Sequence, residues 1–284
     1  MFKLGLLGQN IAASRAPALH TMLGEMNGLP VSYTLQVPND SGAEAFQAKL
    51  ESLVAQGFTG ANVTFPYKQI AIDSADEVND AVRKVGATNT LRILDGKIAA
   101  FNTDYTGFIR GYRGRVGDLP AGKVLLVGAG GVGRAVAFAL FEVGATEVMV
   151  TDLNIAGAQA LVKAVNDAGF QAKFVAPEEA ADAANSADGL VNCTPVGHYT
   201  TPGCPLAKTA FGGQSWAFDA VYTPMDTEFL LAAHAAGLKI VSGFDLFFYQ
   251  GIDAFEIFTG QKVEQVQPVW DGFREKFAVV SELI

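Results

Sequence analysis

The chain has 284 residues, half of them hydrophobic and 17% charged, enough for one large domain or two small ones with a sizeable buried core. Its net charge of −9 and isoelectric point of about 4.8 describe a surface that repels phosphate backbones. With no Lys/Arg run and no aromatic-basic stripe, nucleic acid is excluded as a partner.

The opening MFKLGLLGQN contains a strand, Phe2–Leu7, but no signal-peptide h-region or cleavage site. The stretch SRAPALH then starts a helix over Ala18–Met26. Pro17 suits the first helical position and places Ala16 at the N-cap, where it has no oxygen to offer the free N–H groups. Val31–Val37, Gly60–Thr64 and Asn89–Ile93 read as further strands, and Ala43–Ala55 and Val78–Val85 as helices; Pro66 reads as opening a helix that carries Lys68. This alternation implies a mostly parallel sheet. LDGK, residues 94–97, reads as a hairpin turn.

A second series follows GDLPAGK. Its strands are Lys123–Val127, Glu147–Thr151, Gln171–Val175, Leu190–Asn192, Ala217–Ala220 and Lys239–Val241. Its helices are Gly131–Val143, Ile155 to about Ala168, and Thr227–Ala236. The Phe-rich run Phe244–Phe258 and an amphipathic helix over Val269–Ile284 break the rhythm. The expected fold is α/β in two domains. Residues 1–103 plus about 247–284 form an N-terminal domain to which the C-terminal helices return, and 104–246 form a Rossmann-type domain. No stretch reaches the roughly 18 apolar residues of a membrane span. Cys193 and Cys204 fit no CxxC, disulfide or metal-ligand spacing and read as reduced thiols. A cytoplasmic protein without nucleic-acid or membrane partners is expected, with a homodimer as the candidate assembly.

KVLLVGAGGVGRAV carries Gly128-x-Gly130-x-x-Gly133 between a strand and a helix, the context a dinucleotide site requires. Gly128 allows the tight turn, Gly130 brings backbone N–H groups to a pyrophosphate, and Gly133 allows close helix–sheet packing. Gly131 and Val132 begin the helix whose N-terminus stabilises the phosphate charge. Asp152 ends the next strand. A carboxylate there accepts from the ribose hydroxyls and repels a 2′-phosphate, and no Arg or Lys lies between Thr151 and Gln159, so NAD is expected in preference to NADP. The alternative is a structural turn with Asp152 as a helix cap.

GANVTFPYKQ delivers Asn62, Thr64 and Lys68; GATNT delivers Asn89; FNTDYTGF delivers Asn102, Thr103 and Asp104. Ligands of open α/β sheets bind at the carboxyl ends of strands, where these residues fall. Each alone has a structural alternative: a backbone-bonded loop asparagine, a solvated lysine, or, for Asp104, a helix cap. Beside a nicotinamide site, Lys68 and Asp104 form a pair able to take and orient an alcohol proton.

The motifs NVTFPYK, GATNT, NTDYTGF, VGAGGVGRAV, VNCTPVG, AFDAVYTPMDTEFL and GFDLFFYQGIDAF, in this order, resemble those of the shikimate/quinate dehydrogenase family over nearly the whole chain. The resemblance implies an N-terminal substrate domain, a C-terminal NAD(P) domain and oxidation of a ring hydroxyl of a cyclitol carboxylate. It implies that Lys68 and Asp104 are catalytic, that Asn89, Thr64 and Gln250 hold ring hydroxyls, and that Tyr222 sits near the carboxylate. Asn192, Thr194 and Gly243 would line the nicotinamide end of the cofactor.

TDLN stands where NADP-using members have an Asn-Arg-Thr pattern, which looks like the NAD-dependent quinate/shikimate branch. The family's Ser-x-Ser-Pro or Ser-x-Thr-Pro, whose hydroxyls bind the substrate carboxylate, is here Ser14-Arg15-Ala16-Pro17. Ser14 is kept and one hydroxyl is lost, at a cost of about 1.5–3 kcal/mol. Leu246 replaces a methionine common in the family, a nearly isosteric change. The expected partner is a small hydroxy-carboxylate. A family member with a different substrate and a non-catalytic sensor of NAD or a metabolite are the alternatives.

Overall fold

The computed structural model describes every residue from Met1 to Ile284. It begins with β1 (Phe2–Leu7), α1 (Ala16–Met26), β2 (Val31–Gln36), α2 (Ala43–Ala55), β3 (Gly60–Val63), β4 (Glu77–Val78), α3 (Asp80–Val85), β5 (Thr90–Leu94) and β6 (Lys97–Phe101). Then come α4 (Thr103–Val116), β7 (Gly122–Val127), α5 (Gly131–Glu142), β8 (Ala145–Thr151), α6 (Ile155–Asp167), β9 (Ala172–Phe174), α7 (Ala180–Ala184) and β10 (Gly189–Asn192). β11 (Trp216–Asp219), α8 (Glu228–Ala235), β12 (Lys239–Ser242), α9 (Gly243–Thr259) and α10 (Val266–Lys276) complete the chain. Two compact units result: Met1–Thr103 with Phe248–Val279, and Asp104–Phe247 with Val280–Ile284. No helix is long and apolar enough to cross a membrane.

The first unit holds a six-stranded sheet in the order β2-β1-β3-β5-β6-β4. β1 runs parallel to β2 and β3, and β4 to β6, whereas β5 is antiparallel to both β3 and β6, so the sheet is mostly parallel, as expected, with β5 alone reversed. The reason is the LDGK hairpin: Asp95 and Gly96 both take positive φ, 51° and 76°, as a two-residue hairpin turn requires. Alternation along β1 sends Leu4 and Leu6 to one face, with Tyr33, Ala254 and Phe258, and Leu7 to the other, with Phe46, Leu50 and Tyr67. The Phe258 ring lies where a Cβ on Gly60 would be 2.3 Å away, so only glycine lets α9 sit this close to β3.

Three helix starts differ from the sequence reading. Ala16 is the first residue of α1 and Arg15 its N-cap, without a side-chain cap bond. Ser14 Oγ accepts the Ala16 N–H at 3.3 Å, so the nearby hydroxyl serves one first-turn donor in place of a regular cap. The helix expected from Val78 starts at Asp80, because Asn79 caps it by accepting from Val82 N–H, and Val78 pairs with β6 instead. Pro66 opens no α-helix: Lys68 lies in a turn ahead of a short 3₁₀ segment, Ile70–Ser74.

The second unit is an all-parallel sheet in the order β12-β11-β10-β7-β8-β9, the doubly wound order of a Rossmann domain. Its core includes Trp216, whose indole N–H donates to Ala121 O at 3.2 Å and whose ring fills the space beside Gly189. The C-terminal helix is shorter than Val269–Ile284. It ends at Lys276, Ala278 takes φ 45°, and Leu283 and Ile284 pack against this second core. Ser281 Oγ and Glu282 N donate to the Asp226 carboxylate at 2.5 and 2.7 Å, which ties the tail there.

A Cβ at position 189 would stand 2.2 Å from the Trp216 ring. Gly189→Ala is therefore expected to destabilise the protein by about 1–3 kcal/mol, read as a melting temperature several degrees lower. An unchanged melting temperature would contradict this packing.

Candidate active site

In the first unit, the strand directions collect the polar residues at one end of the sheet. β1 and β3 are parallel neighbours, so the loop from Gly8 to Ser14 and the turn from Thr64 to Lys68 leave side by side. The Thr64 methyl sits over Gly8, where a Cβ would be 2.3 Å from it. Thr90 at the start of β5 pairs with Asn62 and with Phe101 at the end of β6, which brings Asn89 and Thr103 to the same end. The backbone of the Lys68 turn is pinned there as well, because Lys68 O accepts from Thr88 N–H at 2.7 Å.

Asn89 is the hub of this cluster. Its Oδ1 accepts from Thr103 N–H at 2.7 Å and from Thr90 Oγ1 at 3.0 Å, and its Nδ2 donates to Thr103 Oγ1 at 2.9 Å. Thr103 Oγ1 in turn donates to Gln250 Oε1 at 3.4 Å. Asn89 thus satisfies backbone, as its structural alternative had it, while linking Thr103 and Gln250. Asn102 braces the loop through Ala87 O at 2.9 Å. Ser14 accepts from Ala16 N–H, which leaves its own proton to donate, the polarity a carboxylate ligand needs. The Ala16 methyl is buried in the cluster of Ile11 and Tyr33.

In the second unit, five parallel strands end on one edge, and Gly128, Asp152, Asn192, Asp219 and Ser242 mark those ends. Gly128 has φ 104°, and a Cβ on it would meet Cys193 at 2.7 Å; one on Gly133 would meet Gly128 O at 1.9 Å. Fold packing alone therefore demands glycine at these two positions. Gly130 differs: it is exposed, and nothing lies within 4 Å of its would-be Cβ. It is the N-cap of α5 and supplies no side chain, so the first-turn amides, including exposed Gly131 and half-buried Val132, have no side-chain cap. Open space beside an uncapped 12-residue helix start suits a pyrophosphate.

Asp152 does not cap α6; Asn154 does, accepting from Gly157 N–H. Asp152 instead spans two loops, Oδ2 accepting from Ala129 N–H at 2.7 Å and Oδ1 from Asn154 N–H at 2.8 Å. Each oxygen keeps a further lone pair, so the carboxylate fits the ribose hydroxyls of a dinucleotide. The glycine loop, helix start and acid together fit NAD.

Asn192 is wholly buried and braces the loop after β10. Its Nδ2 donates to Asp219 Oδ1 and Val196 O at 2.9 and 3.0 Å, and its Oδ1 accepts from Thr194 N–H and Oγ1 at 3.0 and 2.7 Å. Asp219, which the sequence reading passed over, also accepts from Val221 N–H and Thr227 Oγ1. Burial raises its pKa to about 7 against the opposing pull of these donors. Burial, together with the negative charges of Asp219 and Asp104, pushes the Cys193 thiol well up, so it stays protonated and unreactive. Asp104 lies in the first turn of α4 rather than capping it. Tyr222 stacks on Phe247 with ring centroids 5.0 Å apart. At Gly243 a Cβ would be 2.3 Å from Ala220 O, and the Ser242–Asp245 capping box fixes this helix start.

Residues 6–91 match the family described as shikimate dehydrogenase substrate binding domain, and residues 113–201 match shikimate / quinate 5-dehydrogenase. A quinate/shikimate dehydrogenase (NAD(+)) of Corynebacterium efficiens is 38% identical, over 90% of this chain and 92% of the relative. Among solved structures, quinate dehydrogenase from Corynebacterium glutamicum in complex with NAD aligns with a TM-score of 0.88 and 35% identity, covering 98% of this chain and 99% of that one. Shikimate 5-dehydrogenase from Thermus thermophilus, in complex with NADP(H) and shikimate, aligns with a TM-score of 0.82 and 34% identity, covering 97% and 99%. With both halves matched and identity above 30% along nine-tenths of its length, the chain belongs to the shikimate/quinate dehydrogenase family.

Proposed function

We propose that this oxidoreductase is an NAD-dependent dehydrogenase that oxidises a ring hydroxyl of a cyclitol carboxylate such as shikimate or quinate. The observation that carries the reading is the contrast among the three glycines: Gly128 and Gly133 have no room for a side chain, while Gly130 faces open space at an uncapped helix start. Fold packing explains the first two; a bound pyrophosphate explains the third.

Oxidising a secondary alcohol removes a hydride from carbon and a proton from oxygen. The bound nicotinamide supplies the hydride acceptor, and the chain supplies the rest. Lys68 and Asp104 are the catalytic pair, taking the hydroxyl proton and orienting the hydroxyl. Ser14 donates to the substrate carboxylate with Tyr222 near it, while Thr64, Asn89 and Gln250 hold the ring hydroxyls. Gly128 to Gly133 hold the pyrophosphate, Asp152 the adenosine ribose, and Asn192, Thr194 and Gly243 shape the nicotinamide end. With no cation from Asp152 to Ala158, a 2′-phosphate would meet only like charge, which favours NAD over NADP. The acidic, cysteine-poor composition suits a cytoplasmic enzyme.

Steady-state assays with NAD and shikimate or quinate test the reading. Lys68→Ala is expected to lower kcat by roughly a hundredfold or more, the range of a lost general acid–base group. Unchanged turnover in that variant would sink the mechanism.

A second reading, a different hydroxy-carboxylate, is favoured by Ala16, whose side chain carries no donor and lies among apolar neighbours. If the substrate is a cyclitol carboxylate with its acid group at Ser14, Ala16→Ser should lower KM roughly ten- to hundredfold, one regained bond to a charged group. A KM unchanged by Ala16→Ser would favour the different substrate.

A further inference from the structure

Three segments of the second unit meet at one carboxylate that takes no part in the proposed chemistry. Asp219 ends β11 and is wholly buried. Its Oδ1 accepts from Asn192 Nδ2, at the end of β10, and from Val221 N–H, in the loop after β11, both at 2.9 Å. Its Oδ2 accepts from the hydroxyl of Thr227, the N-cap of α8, at 2.6 Å. All three partners are neutral donors, so the acid stands in the interior with hydrogen bonds alone to hold its charge.

The loop after β10 is closed on itself. Asn192 Oδ1 accepts from the Thr194 N–H and hydroxyl, Asn192 Nδ2 donates to Val196 O, and Val196 N–H donates to Thr194 Oγ1 at 3.2 Å. These bonds fix the shape of the loop and the sense of the Asn192 amide without help from Asp219. They do not fix where the loop stands against its neighbours. Strand pairing ends with the Ala220 N–H on Asn192 O at 2.8 Å, and farther out the Tyr199 N–H reaches Thr223 O at 3.3 Å. Between those two bonds, Asp219 joins the closed loop to Val221 and to α8.

The tie needs an ionised acid. Thr227 Oγ1 already accepts from Leu230 N–H at 3.2 Å, and its single proton goes to Asp219. A carboxylate accepts at both oxygens, whereas an amide of the same shape would turn a donor toward Thr227 or toward Asn192 and Val221. We propose that Asp219 is a positioning residue for the nicotinamide end of the cofactor site, holding the loop that carries Thr194 against the loop after β11 and the start of α8. The proposal rests on the reading of Asn192 and Thr194 as lining that end.

The test is calorimetric titration at about pH 8, where the Asp219 carboxyl is mostly ionised, with NAD+ and with ADP-ribose, which lacks the nicotinamide. Asp219→Asn is expected to bind NAD+ about tenfold more weakly than the parent and ADP-ribose within about twofold of it, since one buried bond to a charged group is lost at the nicotinamide end alone. Thr227→Val, which removes one donor to the carboxylate, should weaken NAD+ in the same selective way, and Thr227→Ser, which keeps the hydroxyl, should restore the parent values. The Thr227 pair carries the test if Asp219→Asn does not fold. A parent protein that binds neither ligand would overturn the functional reading. With a parent that binds NAD+, unchanged NAD+ affinity in the variants, or an equal loss of NAD+ and ADP-ribose, would overturn the positioning proposal alone.

Discussion

The close approach of α5 to the end of β7 is the constraint on which the second unit's site depends. Gly133 lies so near the Gly128 carbonyl that no Cβ fits, and Gly128 lies equally near the Cys193–Thr194 peptide. These contacts lock three things together: the glycine loop, the helix start and the loop after β10. Once they are locked, the first amides of α5 face open space. The Asp152 carboxylate reaches across to Ala129 and fastens the loop to the end of β8. Asn192 and Asp219 do the same from the other side, through bonds that use both ends of the Asn192 amide.

The first unit is organised differently. Its mixed sheet brings residues from β3, β5 and β6 to one end, and an interlocked set of amides and hydroxyls joins them. Such a network is expensive if half satisfied and rigid if complete. Tyr33 joins it through Asn62 Oδ1 and stacks on His20 of α1, which ties the network to packing between β2 and α1. Ser14 adds a separate element: its lone pair serves the helix, which leaves its proton for the carboxylate of the proposed substrate.

Most of this was legible in the sequence because it follows from periodicity and spacing. Alternating strands and helices gave the two sheets, and strand ends gave Thr64, Asn89, Gly128 and Asp152 their places. Helix starts were less legible. Arg15 rather than Ala16 occupies the N-cap position of α1, Asn79 displaced the start expected at Val78, and Pro66 sits in a turn, because a cap is chosen by local backbone geometry that composition does not reveal. The tail was misread for another reason: Val280–Ile284 continues an amphipathic pattern but breaks at Ala278, and its apolar end finds a core in the second unit. Asp219 was not legible beside Asn192, since its place there depends on its bonds to Asn192, Val221 and Thr227, which no spacing in the sequence reveals.

The central claim is that the Asp152 carboxylate both anchors the glycine loop and reads the ribose. Calorimetric titration of NAD+ and NADP+ into the parent protein and Asp152→Ala tests it most directly. The account predicts roughly tenfold or greater preference for NAD+ in the parent, weaker NAD+ binding in the variant, and a preference there reduced to about threefold or less. Equal affinity of the parent for the two dinucleotides would contradict it.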